Sequence, residues 1–383
     1  MNNFDFYNPT RILFGKGKIA ELKELIPARA KVMVTYGGGS VKKNGIYNQV
    51  SEALKGYDWT EFGGIEPNPR YETLMKAVER VRDEKIDFLL AVGGGSVFDG
   101  TKFIAAAASF DGEPWDILTK RATIEHALPL GGILTLPATG SEMNAGAVIT
   151  REETQEKLPF GNPLLFPQFS ILDPSVTATL SQRQAANGVV DAFVHVMEQY
   201  MTHPSGNHLQ ARFAESILNT LLEDGPEYYA HPDNYEKAAN IMWSATMALN
   251  GLIGAGVPND WSTHMIGHEL TAFHEIDHAR TLAIVLPGTW SVLKSDKREQ
   301  LIQYAERVWG ITSASDEDKI EQAIKKTEEF FNSLGIKTRL SDYDVDETTI
   351  RKIVKRFEER GWHLGEKQKV GPENVEKILK SRA

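Results

Sequence analysis

The first half of the chain alternates short apolar runs with longer amphipathic stretches. The apolar runs end at glycine or proline, which is typical of buried parallel strands. Three of them are "KVMVTY" (31–36), "DFLLAV" (87–92) and "GGILTLP" (131–137). The stretch at 70–85 carries four apolar residues at helical spacing, namely Leu74, Ala77, Val78 and Val81. This alternation predicts an α/β domain with a parallel sheet.

The pattern changes after about residue 180, where long helical stretches follow one another with few strand signals. Near the end, Ser315 and Asp318 form a capping box before a predicted helix that Gly335 ends. A chain of 383 residues is also too long for one ordinary hydrophobic core. We therefore predict two domains, an α/β domain at 1–182 and an all-helical domain at 183–383.

Composition narrows the classes of function. The hydrophobic share of 41% and the charged share of 25% are those of a soluble globular protein. A net charge of −10 without a basic stripe argues against nucleic acid as a partner. No apolar run is long enough to cross a bilayer, and the first residues lack the regions of a signal peptide. A cytoplasmic location is the default expectation.

The motif "GGGS" occurs twice, at 37–40 and 93–96, each time after a predicted strand and before a helical run. Consecutive glycines allow the backbone to approach a phosphate, and the N-terminus of the following helix favours an anion. One such loop by itself can be a plain tight turn. Two of them on adjacent strands favour a dinucleotide laid across the carboxyl ends of the sheet.

A second glycine pattern, "GKGKIA" after "RILF", fits the G-x-G-x-x-A fingerprint of dinucleotide-binding folds. That fingerprint expects an acidic residue at the end of the next strand, but this strand ends in "YGGGS". We therefore predict that Gly15 and Gly17 form a turn near the sheet edge. The missing acid favours NADP over NAD, with Ser40 in its place and Lys42 and Lys43 close behind. Lysines in such positions are more often plain solvated surface residues, so neither is assigned individually.

The chain contains no cysteine, so any metal ion must be held by His, Asp or Glu. The segment "THMIGHELTAFHEIDHA" (263–279) carries four of the ten histidines. They form two pairs spaced i,i+4, and each pair is expected to share a helix face: His264 with His268, and His274 with His278.

The helical stretch at 187–200 places Asp191 and His195 at the same i,i+4 spacing. A buried, hydrogen-bonded Asp–His couple explains this pair as well as a metal site does. One divalent ion could also take ligands from both segments, and a site of one carboxylate and several imidazoles suits Zn²⁺ or Fe²⁺. Spacing by itself does not decide which histidines bind.

Together these motifs resemble the iron-containing (group III) alcohol dehydrogenase family, and within it the NADPH-dependent butanol dehydrogenase and aldehyde reductase branch. The resemblance runs the length of the chain and includes "PTRILFGKG", "GGIEPNP", "AVGGGSVFDGTKFIAAAA", "LPATGSE", "NGVVDAFVHVMEQY", "GLIGAGVPNDWSTHMIGHELTAFHEIDHA" and "LAIVLP". It implies a dehydroquinate synthase-like fold with a Rossmann-like dinucleotide-binding domain at 1–182 and a helical metal-binding domain at 183–383. The active site is expected in the cleft between them.

The resemblance also implies roles for the histidines. In this family one Asp and three His hold the metal, and the matching residues are Asp191, His195, His264 and His278. His268 matches a histidine near the nicotinamide and the substrate, so we expect it to be catalytic. His274 has no counterpart in the family pattern and is expected to be structural or to line the cleft.

For the cofactor, the resemblance implies twelve contact residues: Gly37, Gly38, Gly39, Ser40, Asn68, Gly94, Gly95, Ser96, Asp99, Thr135, Thr139 and Lys157. Lys157 falls where the family often has a lysine that reaches the cofactor ribose or phosphate. Asp99 and Lys102 are three residues apart, so a local ion pair is an alternative to a role in orienting cofactor groups.

The expected activity is hydride transfer between NADPH and a small aldehyde such as butanal, with one divalent ion (Fe²⁺ or Zn²⁺) as Lewis acid. The family expectation for assembly is a homodimer. The alternative is a metal- and NAD-dependent lyase or cyclase, or a polyol dehydrogenase, of the dehydroquinate synthase and glycerol dehydrogenase type. A polyanionic substrate needs basic residues near the metal, but 187–200 and 254–279 contain no Lys or Arg. A nucleotide- and metal-binding regulator without catalysis is a third possibility.

Overall fold

The structure is a computed structural model that describes residues 1–204 and 206–383. The chain divides into two compact units. The sheet unit contains Tyr7–Ser181 and His231–Thr246, and the helical unit contains Met1–Phe6, Gln182–Ala230 and Met247–Ala383. The functional domains at 1–182 and 183–383 stay a prediction, from which these units depart in two short segments.

The sheet unit is built on a parallel sheet. The strands are β1 Arg11–Phe14, β2 Lys31–Tyr36, β3 Asp58–Phe62, β4 Phe88–Gly94, β5 Leu130–Leu136, β6 Gly146–Arg151, β7 Glu156–Gly161 and β8 Phe169–Leu172. Six of them pair in parallel in the order β1-β8-β5-β4-β2-β3, and β6 and β7 form a separate antiparallel pair. The runs predicted as strands correspond to β2, β4 and β5, which confirms the α/β prediction.

The helices of the chain are α1 Ser40–Lys43, α2 Ile46–Ala53, α3 Tyr71–Glu84, α4 Gly95–Ala108, α5 Asp116–Thr119, α6 Gln182–Tyr200, α7 His208–Ala230, α8 Tyr235–Ala248, α9 Ser262–His274, α10 His278–Val292, α11 Arg298–Arg307, α12 Asp316–Ser333, α13 Glu347–Arg360 and α14 Pro372–Lys380. Within the described residues, no strand follows β8, which confirms the helical C-terminal half. As predicted, Ser315 caps α12 by accepting from the backbone N–H of Asp318, and Gly335 follows the helix with a φ of 70°. None of the described helices combines the length and apolar character that a membrane span requires.

Each unit has its own hydrophobic core. In the sheet unit, strand residues such as Val32, Leu90 and Ile133 belong to one buried cluster together with Ile46 and Val50 of α2. The apolar stripe of α3 is buried as its spacing predicts. In the helical unit, α9, α10, α13 and α14 contribute to a second buried cluster. The burial of strand β4 over its first six residues reflects its place in the middle of the sheet, where both faces are covered.

The two "GGGS" loops lie at the point where the direction of winding reverses. Strands β2 and β4 are hydrogen-bonded neighbours, with Tyr36 opposite Val92, which confirms that the loops follow adjacent strands. From β2 the chain continues to β3 on one side, and from β4 it continues to β5 on the other. Open α/β sheets bind ligands outside the strand ends at such a switch point.

The "GKGKIA" segment lies at the edge of the sheet. It directly follows β1, which is the outermost strand on that side. Gly15 and Gly17 have φ angles of 121° and 80°, and the N–H of Gly17 donates to Asp173 Oδ2 at 2.8 Å. The prediction of a turn at this place is confirmed.

Candidate functional site

Asp191 and His195 lie one turn apart on α6 and are both buried. Their closest polar atoms, Asp191 Oδ1 and His195 Nδ1, are 3.8 Å apart, so they share a face as the spacing predicts. Almost every residue of this helix from Ala185 to Tyr200 is buried. An ionisable pair in such surroundings is costly unless it is bound by a further partner.

The histidine-rich segment contains a helix break that the spacing does not reveal. Helix α9 ends at His274, Glu275 adopts a left-handed conformation with a φ of 55°, and α10 begins at His278. The prediction that His274 and His278 share a helix face is therefore wrong. The break contains neither glycine nor proline, the residues that usually mark one.

The break allows His278 to turn toward α6. Its Nε2 lies 3.6 Å from Asp191 Oδ1, and its ring centroid lies 5.3 Å from that of His264. The potential ligand atoms of Asp191, His195 and His264 all lie within 4.8 Å of one another. The structure thus brings the four sequence-predicted ligands together from three helices.

The chemistry of this cluster fits a divalent cation. One carboxylate and several imidazoles are a donor set that suits Fe²⁺ or Zn²⁺. Burial lowers the pKa of His195 to about 4, so its ring is neutral at pH 7, as coordination requires. Its Nδ1 is buried and accepts no hydrogen bond from any described residue. Buried polar atoms are normally satisfied, so a bound ion accounts for this one.

His268 borders the cluster. It is buried one turn after His264 on α9, and its ring centroid lies 5.2 Å from that of His278. Trp261 lies on another side, with its ring centroid 5.3 Å from that of His264. His274 instead has its Nε2 2.8 Å from Thr349 Oγ1 of α13, which is a contact within the helical unit.

Glu198 is not among the residues predicted from the sequence, although it belongs to this cluster. Its carboxyl oxygen Oε1 lies 2.9 Å from the backbone N of His264 and 3.0 Å from the ring Nδ1 of the same residue. Burial raises the pKa of Glu198 well above its usual value. The available signal was the spacing, because Asp191, His195 and Glu198 follow one another at i, i+4 and i+7 on one helix face.

In the sheet unit, three of the predicted cofactor residues meet from separate segments. Lys157 of β7 donates from Nζ to Asn68 Oδ1 at 2.8 Å, and the backbone N of Asn68 donates to Ser96 Oγ at 3.3 Å. Asn68 adopts a left-handed conformation with a φ of 57°, and Lys157 is buried. The loop after β3, the first turn of α4 and the β6–β7 hairpin therefore converge.

The glycines of the loops are required by close packing as well as by conformation. A Cβ on Gly95 would overlap the side chain of Thr139, and one on Gly94 would lie 3.1 Å from Leu136 Cβ. Gly39 has a φ of 91° directly before α1. A Cβ on Gly38 would meet no described atom within 4 Å, so this part of the loop is open to a ligand. Thr135 lies half-buried near the end of β5.

Asp99 and Lys102 are joined through Ser141. The Ser141 hydroxyl donates to Asp99 Oδ1 at 2.6 Å and accepts from Lys102 Nζ at 2.9 Å. Asp99 Oδ2 also accepts from the backbone N–H of Val148, at 2.9 Å. Burial lowers the pKa of Lys102 to about 8. These contacts fasten α4 to the segment before and within β6, and the assignment of Asp99 to the cofactor stays a prediction.

An acidic residue does lie near the first glycine loop, but it comes from β3 rather than from the end of β2. Lys42 Nζ lies 2.7 Å from Glu61 Oε1, and the Tyr47 hydroxyl donates to Glu61 Oε2 at 2.5 Å. The hydrogen bond with Glu61 raises the pKa of Lys42. The sequence gives no sign of this contact, because the pairing of β2 with β3 decides which residues meet.

Comparison with known proteins assigns the family. Residues 9–174 match the family model described as iron-containing alcohol dehydrogenase, and residues 185–383 match the C-terminal model of the Fe-containing alcohol dehydrogenase family. The chain belongs to the iron-containing alcohol dehydrogenase family. The resemblance stated from the sequence motifs and the expected oxidoreductase class are both confirmed. The comparisons give the lyase or cyclase alternative no support.

Relatives within the family differ in the cofactor that they are named for. The chain is 60% identical to the NADPH-dependent aldehyde reductase YqhD of Escherichia coli over 96% of both chains. It is 43% identical to the probable NADH-dependent butanol dehydrogenase 1 of Bacillus subtilis over the full length of both. Among solved structures, the crystal structure of E. coli K-12 YqhD has a TM-score of 0.99 and 57% identity, and covers 100% of this chain and 99% of that chain. These matches confirm the predicted fold class.

Proposed function

We propose that this iron-containing alcohol dehydrogenase family member is a metal-dependent, NADP(H)-linked aldehyde reductase and alcohol dehydrogenase. Its substrates are short- to medium-chain aldehydes such as butanal and the corresponding alcohols. The observation that carries the proposal is the 60% identity, over 96% of both chains, to a protein named NADPH-dependent aldehyde reductase. The "YGGGS" strand end supports NADPH, because no carboxylate directly follows β2 to repel a 2′-phosphate.

The metal ion and NADP(H) are bound by separate sets of residues. The metal ligands are Asp191, His195, His264 and His278, and the cofactor contacts are the glycine loops with Asn68, Ser96 and Lys157. When bound, the ion supplies a Lewis acid for the carbonyl oxygen, and NADPH supplies the hydride. Burial of the Asp191, His195 and His264 side chains excludes water, which strengthens electrostatic interactions around them.

We assign to His268 the transfer of a proton to the product oxygen, directly or through a hydroxyl of the cofactor ribose. Its buried position beside His278 supports this role. His268→Ala should lower kcat by about 10²- to 10⁴-fold and remove one limb of the pH–rate profile. His274→Ala is the matched control, because it removes a histidine of the same helix that contacts Thr349 instead. An unchanged rate and pH profile in His268→Ala would overturn the assignment.

The deciding experiment is an assay of butanal reduction with NADPH and with NADH. Enzyme freed of metal by chelation is reconstituted separately with Fe²⁺ and with Zn²⁺, which also tests the choice of ion. We expect activity only after metal is restored, and a lower KM for NADPH than for NADH. Preference for NADH would contradict the cofactor assignment, and full activity of the metal-free protein would contradict the metal-dependent function.

We also propose that the enzyme is a homodimer, as expected for the family. Light scattering coupled to size-exclusion chromatography measures this directly. A mass of about twice the 42.6 kDa of the chain is the expected result, and a monomer mass at micromolar concentration would reject it.

A further inference from the structure

Helix α6 carries three ionisable residues on one face, and only two of them are predicted metal ligands. Glu198 follows His195 by three residues and Asp191 by seven, so all three side chains point to the same side of the helix. Glu198 is only 3% exposed. A carboxyl group at this depth needs hydrogen-bond donors, and the first turn of α9 provides them.

Two of these donors belong to His264. The backbone N of His264 lies 2.9 Å from Glu198 Oε1, and the ring Nδ1 lies 3.0 Å from the same oxygen. Because this oxygen accepts the backbone N–H, we assign Nδ1–H as the second donor. An imidazole that carries its proton on Nδ1 presents a lone pair on Nε2, which is the form that coordinates a metal through Nε2.

The two contacts fix the position of the ring as well as its proton. The backbone contact sets the first turn of α9 relative to α6, and the ring contact sets the rotation of the imidazole within that turn. The result is a His264 ring stacked on the His195 ring, with centroids 4.7 Å apart and planes 28° from parallel. The carbonyl of Glu198 also accepts from the backbone N–H of Asp260, at 2.9 Å, so its main chain and side chain hold the same segment.

We infer that Glu198 is a positioning residue of the metal centre, which acts through His264 by fixing the tautomer and the orientation of its ring. This inference rests on the proposed metal-dependent function. Carboxylates that hydrogen-bond a ligating histidine raise its basicity and orient it, and their loss typically weakens metal binding by about 10- to 100-fold. Glu198 therefore contributes to metal affinity without touching the ion or the substrate.

The test measures Co²⁺ binding to the full-length, metal-free protein, by titration calorimetry and by the visible absorption bands of the bound ion. Glu198→Ala should weaken Co²⁺ affinity by about 10- to 100-fold and change the absorption spectrum, because the His264 ring is released. Glu198→Gln keeps an oxygen acceptor but loses the charge that strengthens the hydrogen bond. Its affinity should therefore lie between those of the wild type and Glu198→Ala.

Glu215→Gln is the matched control. Glu215 is another buried carboxylate packed against α6, where it accepts from the Tyr200 hydroxyl at 2.9 Å, but it does not contact the histidines. Its substitution should leave Co²⁺ affinity and the spectrum unchanged. An equal loss in Glu215→Gln would overturn the inference, because the effect would then be a general one on the helical unit.

The outcomes separate the inference from the proposed function. If the wild type binds Co²⁺ and reduces butanal, but both Glu198 variants bind Co²⁺ like the wild type, only the role of Glu198 is rejected. If the wild type binds no Co²⁺, the metal-dependent function and the role of Glu198 are rejected together. Should Glu198→Ala fail to fold, the isosteric Glu198→Gln decides the question, since wild-type affinity in that variant contradicts the inference.

Discussion

Two buried polar clusters of the helical unit differ in where their positive charge comes from. In the first, Lys297 Nζ lies 2.6 Å from Asp260 Oδ2 and 3.2 Å from Glu366 Oε2, and it donates to the carbonyl of Met201 at 2.7 Å. All of these side chains are almost completely buried. The lysine offsets the charge of Asp260, and burial raises the pKa of Glu366, so the cation of this cluster comes from the chain itself.

The second cluster is formed by Asp191, His195, His264 and His278. It combines one carboxylate with three imidazoles and includes no lysine. The segments that supply it, 187–200 and 254–279, contain no lysine or arginine. The comparison shows how a structural charge cluster can be told from a candidate metal site. A buried carboxylate that pairs with a lysine of the chain belongs to a structural cluster that joins helices. A buried carboxylate surrounded by imidazoles is a candidate site for a metal ion that supplies the positive charge.

The largest expected effect is that of Asp191→Asn, which removes the only carboxylate among the proposed ligands. We expect the purified protein to lose most of its bound metal and the rate of butanal reduction to fall by about 10³-fold or more, since Lewis-acid stabilisation is worth several kcal/mol. Elemental analysis and the NADPH assay measure the two effects. A variant with a full complement of metal would contradict the ligand set.

Lys297→Met tests the other cluster and should affect stability first. Removing one partner of a buried ion pair leaves uncompensated charge, which typically costs about 3–5 kcal/mol in the free energy of unfolding. Denaturant titration at pH 7 measures it. Lys294→Met is the control, because Lys294 pairs with Glu317 and Glu321 at the surface and should change stability by less than about 1 kcal/mol. Equal losses in both variants would remove the distinction between buried and exposed pairs.

The pH dependence of that destabilisation follows from Asp260. Burial raises the pKa of Asp260, but Lys297 together with hydrogen bonds from Glu366 and Ser262 holds the pKa below its usual value of about 3.8. In the wild type its stabilising contribution is present above pH 3.8 and is lost as the pH falls through the lowered value. Lys297→Met removes the ion pair that opposes burial most strongly, so the pKa of Asp260 should rise and its protonation should remove the uncompensated charge. The stability difference between the two proteins should therefore shrink as the pH falls from 7 toward 4.

Removal of the metal should lower the stability of the native protein, and this effect should come from the histidine cluster alone. A ligand present at about 100 times its Kd stabilises the native state by about 2.7 kcal/mol. Thermal melts of the wild type with a chelator, and again after metal is restored, measure the difference. The loss of stability caused by Lys297→Met should be the same with and without the chelator, because the cluster around Lys297 contains its own cation. A chelator that changes that loss would show that the two clusters are coupled.

The smallest effect concerns a half-exposed pair, Lys42 with Glu61. Glu61→Gln removes the carboxylate that engages Lys42, so more of its charge becomes available to the 2′-phosphate of NADPH. Solvent screening limits such pairs, and we expect the KM for NADPH to fall only about two- to threefold while that for NADH stays constant. Steady-state kinetics with both cofactors provide the measurement. An equal change in KM for NADPH and NADH would exclude a role of Glu61 in discriminating between the two cofactors.

The sequence by itself determined most of the architecture. Strand and helix periods, the glycine loops and the cap at Ser315 are local features, and they depend on residues that are close along the chain. The pair Asp191 and His195 was visible for the same reason, because one helical turn separates them. The family resemblance then supplied the remaining predicted ligands and the predicted cofactor contacts.

Only the tertiary structure decided which distant residues meet. It separated His274 from His278 through a break without glycine or proline, and it placed Glu198 against His264 and Glu61 against Lys42. These contacts depend on how helices pack and strands pair, and a hydrogen bond between residues 66 positions apart leaves no periodic trace in the sequence. Local order is encoded in spacing, whereas the chemistry of the candidate site depends on packing.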